Sequence, residues 1–110
     1  MLHQFYVLFC WFVSGHLWGD FAFQSPWMAE NKGKSWEVLI YHALIVTATI
    51  LIMVKMMTGI FLSPQVIGIL FASHVIIDAL KARWGIVKYI WLDQILHCIV
   101  YALTIYTMIK

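Results

Sequence analysis

Histidine and aspartate stand four residues apart at three places in this sequence: His16-x3-Asp20, His74-x3-Asp78 and Asp93-x3-His97. A further histidine, His42, lies alone in an apolar run. Imidazole suits zinc and iron, and carboxylate suits manganese and magnesium. The same groups serve as general acids and bases. A spacing of four puts both members of a pair on one face of a helix, one turn apart. The candidate metal ligands are His16, Asp20, His42, His74, Asp78, Asp93 and His97. Seven donors exceed the four of a tetrahedral zinc site and suit two ions sharing a bridging carboxylate. The expected cofactor is therefore a divalent metal, one or two ions, with zinc first and manganese or iron as alternatives. Asp20, Asp78 and Asp93 are also the candidates for a catalytic base.

The elements that must carry these residues follow from composition. Of 110 residues, 64% are hydrophobic and 11% charged, and the mean hydropathy is +0.89. A soluble domain of this size lacks the polar residues to cover its surface at that ratio. The composition excludes a soluble enzyme, a disordered regulator and a nucleic-acid binder, which needs a basic face. Apolar runs long enough to cross a bilayer as a helix, about 20 residues, occur at about 2–23, 37–54, 60–82 and 89–109. The first has neither a basic start nor a small-residue cleavage site, so it is read as a span and not a signal peptide. Short connections force antiparallel neighbours. Ser25-Pro26 stops and restarts a helix, Lys55–Gly59 is a tight turn, and Gly85 breaks the third connection. The expected fold is all-α, a single integral-membrane four-helix bundle of two helical hairpins.

These spans place the ionisable residues at one level. At about 1.5 Å per residue, Asp20, Asp78 and Asp93 lie about 5–6 Å from the span ends, and His16, His74 and His97 about 11–12 Å. His42 lies about 8 Å in. The first and third spans end on the side where the second and fourth begin, so all seven form one layer, aspartate outside and histidine inside. Each such residue is costly in a span, about 2.5–3.5 kcal/mol at the helix centre, and such residues mark function. Around the layer, Gln24 and Gln94 could orient ligands. Lys32 and Lys81 could meet an anion, and Lys81 could instead pair with Asp78 or reach for the interface. Glu30 and Glu37 read as solvated loop charges, His3 as interfacial, and Cys10 and Cys98 as small buried hydrophobes.

Side and symmetry can also be read. Lys32, Lys34, Lys81, Arg83 and Lys88 fall on the side of the layer, against Lys55 and Lys110 on the other. Cytoplasmic loops carry the excess of Lys and Arg, which makes the layer cytoplasmic and puts both termini outside. Trp18, Trp27, Trp36, Trp84 and Trp91 gather on the same side as an aromatic belt. His-x3-Asp on one span and a histidine on the next, His42 in the first half and His97 in the second, make a weak repeat of motif and topology.

Taken together, HLWGDFAFQSPWMAENK, the YH of the second span, HVIIDALK and LDQILH resemble a bacterial and phage inner-membrane family, domain of unknown function 3307. The matching positions are His16, Asp20, Phe21, Gln24, Trp27, Met28, Ala29, Lys32, His42, His74, Asp78, Lys81, Asp93, Gln94 and His97. The resemblance covers almost the whole chain and implies a multi-pass protein of the bacterial inner membrane. It does not bring an established activity. The motif style is also similar to that of membrane-bound metal-dependent hydrolases, an analogy that raises hydrolysis as an expectation without proving a reaction.

The first functional expectation is a metal-dependent hydrolase acting on an anionic, membrane-resident ester or phosphoester at the cytoplasmic interface, with the basic loops favouring the anion. No serine or cysteine stands in a nucleophilic arrangement. The alternative is a proton or metal-ion transporter or channel using the buried His/Asp layer, which needs a path through the apolar half or along the interface of a homo-oligomer. A bis-histidine haem protein would not need three carboxylates at the same depth. A purely structural membrane protein would use the pairs as helix fasteners. The expected partners are the lipid bilayer and a lipid-like anion, with no nucleic acid.

Overall fold

The computed structural model describes residues 1–110. It is helical throughout, with no strand. Helix α1 spans Leu2–Leu17 and runs on as a single π turn, Trp18–Ala22; α2 is Pro26–Asn31, α3 Trp36–Thr58, α4 Pro64–Ala82 and α5 Ile90–Ile109. The all-helical expectation holds, but four helices become five. The additional one, α2, is six residues long, too short to show a hydrophobic period. It forms because the Ser25 hydroxyl accepts from the Met28 N–H and Pro26 fills the first helical position, where its missing donor costs nothing. The same serine device starts α3 at Ser35 and α4 at Ser63, so α4 begins at Pro64 and not near Ile60. α3 outlasts its expected end and stops at Thr58, where Gly59 (φ +78°) takes the left-handed position open to glycine.

Helices α3, α4 and α5 are each long and apolar enough to cross a membrane. α1 alone, at 16 residues, is shorter than the usual span; its π turn carries the helical backbone on to Ala22. The long helices pack in a ring, α1 on α3, α3 on α4, α4 on α5 and α5 back on α1, with α2 against α3. They alternate in direction. Gly15 faces Ile50 while Gly19 faces Val46, so α1 and α3 are antiparallel. A Cβ on Gly15 would come within 2.8 Å of the Ile50 Cα, and one on Gly19 within 2.7 Å of the Val46 Cα. The spacing of four places both glycines on one face, and their lack of side chains lets the two backbones meet, as in small-residue packing of membrane helices.

Each long helix turns one stripe of residues inward at intervals of four: Leu8, Phe12, His16 and Asp20; His42, Val46, Ile50 and Val54; Val66, Leu70, His74 and Asp78; Asp93, His97, Tyr101 and Ile105. All are buried. The apolar members form one core with Leu62. The ionisable members gather at the other end. The outside of the molecule is apolar too, with Leu44, Ile52, Ile69, Ile76, Ile99 and Leu103 exposed. Cys10, expected inside, faces outward, and Cys98 is only half-buried.

Candidate metal centre

Four polypeptide segments bring the seven expected ligands to one place. The end of α1 supplies His16 and the π turn supplies Asp20; α3 supplies His42 from its second turn, α4 supplies His74 and Asp78 near its end, and α5 supplies Asp93 and His97 near its start. None is more than 5% exposed. The π turn closes with the Phe23 N–H donating to the Trp18 carbonyl at 2.9 Å, and such turns recur at functional sites.

The contacts divide the layer into a satisfied part and an unsatisfied one. Gln94 is the hub of the first. Its carbonyl accepts from His16 Nε2–H at 2.8 Å. Its amide donates to Asp20 Oδ2 at 3.2 Å and to Asp93 Oδ2 at 2.9 Å. The Tyr101 hydroxyl donates to His16 Nδ1 at 2.6 Å. These assignments follow from the network, because a carboxylate can only accept. The His42 Nε2–H donates to Asp20 Oδ1 at 2.9 Å.

By contrast, both ring nitrogens of His74 and of His97 have no hydrogen-bond partner, nor have His42 Nδ1 and Asp93 Oδ1. Buried polar atoms are seldom left so. The rings crowd one another, with centroids 4.5 Å apart for His16 and His97, 4.6 Å for His74 and His97, and 5.0 Å for His42 and His74. Three trios of ligand atoms lie within 4.8 Å of one another: His16, His74 and His97; Asp20, His42 and His74; Asp20, Asp93 and His97. Asp78 belongs to none of them.

The lysines explain Asp78. Lys32 turns into the protein and is buried, its Nζ 3.0 Å from Asp78 Oδ2 and donating to Oδ1 at 3.2 Å. Gly33 allows this inward turn: a Cβ there would come within 2.5 Å of the Ala82 carbonyl oxygen at the end of α4. Lys81 is 3.8 Å from Asp93 Oδ2 and its side chain is 29% exposed, so it pairs with Asp93 and not with Asp78. Gln24 makes no hydrogen bond through its buried carbonyl oxygen and stays outside the network. Glu30 pairs with Lys34 on the surface, and Glu37 accepts from the Tyr41 hydroxyl; both lie away from the layer. Trp36 and Trp84 pack edge to face, and the Arg83 guanidinium lies over Trp36. They therefore fasten α3 to the end of α4.

A family model described as a protein of unknown function (DUF3307) matches residues 8–110. The chain belongs to the DUF3307 family. No curated protein and no solved structure matches it. The matched span of this DUF3307 chain holds all seven residues of the layer and both lysines. It also holds three features that the His/Asp pattern did not reveal. Tyr101 continues the stripe of His97, and its spacing alone does not set it apart from a core aromatic. Gly15 and Gly19, a small-x3-small pair, were the sequence signal for the close α1–α3 contact. Gly33 next to Lys32 was the signal for the inward lysine. The trios could hold a metal ion, and their burial keeps bulk water away.

Proposed function

We propose that this DUF3307 protein is a multi-pass inner-membrane four-helix bundle, α2 being an interfacial turn, whose buried layer is the metal centre of a hydrolase acting on an anionic, membrane-resident ester or phosphoester. The observation that carries the reading is the set of overlapping His/Asp trios, buried inside a molecule whose exterior is apolar. When bound, a divalent ion supplies Lewis acidity to the scissile group and to water. The chain's own part is to orient and to exclude. Gln94 holds Asp20 and Asp93 in place. Lys81, its side chain 29% exposed, would draw an anionic group to the rim, and one carboxylate, Asp20 or Asp93, would take a proton. Zinc is the ion that the histidine-rich trios favour.

The core of Leu8, Phe12, Val46, Ile50, Val54, Leu62, Val66, Leu70, Tyr101 and Ile105 closes the far side of the layer, which counts against a transport path. The packed imidazoles leave no slot for a planar macrocycle, which counts against haem. The Lys/Arg asymmetry supports a cytoplasmic layer. The test is the zinc-loaded protein in native-like lipid. It should cleave a phospholipid or polyprenyl phosphate, stop on chelation, and stop with Asp93→Asn. Proton or metal flux across liposomes without any turnover would transfer the reading to transport.

A further inference from the structure

We propose that the layer is a dinuclear centre bridged by Asp20, and that His16, the first histidine of the His-x3-Asp pairs, is a positioning residue and not a ligand. The inference rests on the metal-centre reading above and goes beyond it by assigning each side chain.

Free ligand atoms distinguish the trios. A ligand must offer a lone pair toward the ion. His16 has none to offer: its Nε2–H is spent on Gln94 and its Nδ1 lone pair is taken by the Tyr101 hydroxyl. That removes the trio of His16, His74 and His97. The two remaining trios share one residue, Asp20. Its oxygens look in different directions, Oδ1 to His42 at 2.9 Å and His74 at 3.8 Å, Oδ2 to Gln94 at 3.2 Å. Gln94 in turn touches Asp93. One ion then belongs to Asp20, His42 and His74, where it would take the place of the His42 Nε2–H proton now lying between two ligands of the same trio, and the other to Asp20, Asp93 and His97; His16 differs in that both its partners, Gln94 and Tyr101, lie outside the trios. Asp93 is divided in the same way. Its Oδ2 faces Gln94 and Lys81, while Oδ1 is unpartnered and lies 3.6 Å from the equally unpartnered His97 Nε2. Asp78 is the counter-ion of Lys32; its Oδ2 lies 3.6 Å from His42 Nε2 and 3.9 Å from His74 Nε2, beside the first ion's trio but outside it. With Lys32 and Lys81 already offsetting two of the three carboxylates, two divalent ions give the layer a surplus of positive charge. An anionic phosphoester has the chemistry to offset it.

The experiment strips the detergent-solubilised protein with a chelator, reloads it with Zn2+ and counts the ions by elemental analysis, with helix content checked by circular dichroism. Wild type should hold two per chain, and so should His16→Gln and Gln94→Leu, each binding about 10-fold more weakly as expected for lost orienting contacts. His42→Ala and His97→Ala should each hold one. Asp20→Asn should hold none firmly. Reloaded with Co2+, His16→Gln should keep the wild-type visible spectrum, and His42→Ala should not. If Asp20→Asn fails to fold, spin coupling between two Mn2+ ions in wild type reports the bridge instead. One ion per wild-type chain, absence of coupling, or loss of an ion in folded His16→Gln overturns the proposal. No ion in wild type overturns the metal-centre reading itself.

Discussion

The stripe on α1 shows two kinds of interior within one helix. Leu8 and Phe12 vanish into an apolar core, and one and two turns later His16 and Asp20 occupy the same face. The apolar half is complete. Phe12 meets Tyr101 edge to face with centroids 5.9 Å apart, a favoured aromatic geometry. The ionisable half is as deeply buried, yet several of its nitrogens and oxygens lack partners. An apolar core is stabilised by filling space. A polar one is stabilised only when each donor and acceptor is matched. Burial here therefore goes with two different interiors, a filled apolar one and an ionisable one whose atoms are not all matched.

The largest break in that comparison should come from the apolar side. Phe12 is fully buried, so Phe12→Ala should cost about 3–5 kcal/mol of unfolding free energy, measured by denaturation in mixed micelles. Zn2+ stoichiometry in the fraction that stays folded should be unchanged, because Phe12 contributes no ligand. A smaller break should come from Lys32→Met, which leaves the Asp78 carboxylate buried without its partner. Removing one member of a buried pair costs about 3 kcal/mol at the low end. The double variant Lys32→Met, Asp78→Leu should recover most of that loss in the same assay, whereas a loss equal to the sum of the two single changes would show that the pair is not coupled. The smallest effect should come from Tyr101→Phe. It removes one hydrogen bond to His16, worth about 1 kcal/mol, and should leave the apolar packing intact. A loss as large as that of Phe12→Ala would mean that the tyrosine ring, and not its hydroxyl, joins the two halves.

Much of this was legible in the residues themselves. The layer could be read because ionisable side chains spaced by four inside apolar runs are expensive and conspicuous, and the three helices long and apolar enough to cross a membrane could be read from their length. The helix starts at Ser25, Ser35 and Ser63 carry local capping signals. What escaped depends on distant partners or leaves no pattern. Lys32 in a loop looks solvated until Gly33 lets its segment lie on the end of α4. The six residues of α2 are too few for a period. Gly15 and Gly19 acquire their role from Ile50 and Val46 across the helix pair. The pairing of Lys81 with Asp93 depends on how α4 and α5 are rotated, and spacing along one helix does not fix that rotation. The π turn has no sequence signature here.

That π turn makes chain length at this point a constraint separate from residue identity. A π turn holds one more residue than the α-helix would place in the same arc, so it is an insertion stored in the backbone. Deleting one residue between Asp20 and Phe23 would return the segment to ordinary helical winding, at about 100° per residue. Because the arc is the same, the chain after it would keep its exit direction, the Ser25 cap, α2 and the inward-turning Lys32 included, and Gly15 and Gly19 would keep their seat on α3. The segment should therefore accept the loss of one residue here. A further insertion, which the arc does not hold, should turn that chain by about 100°.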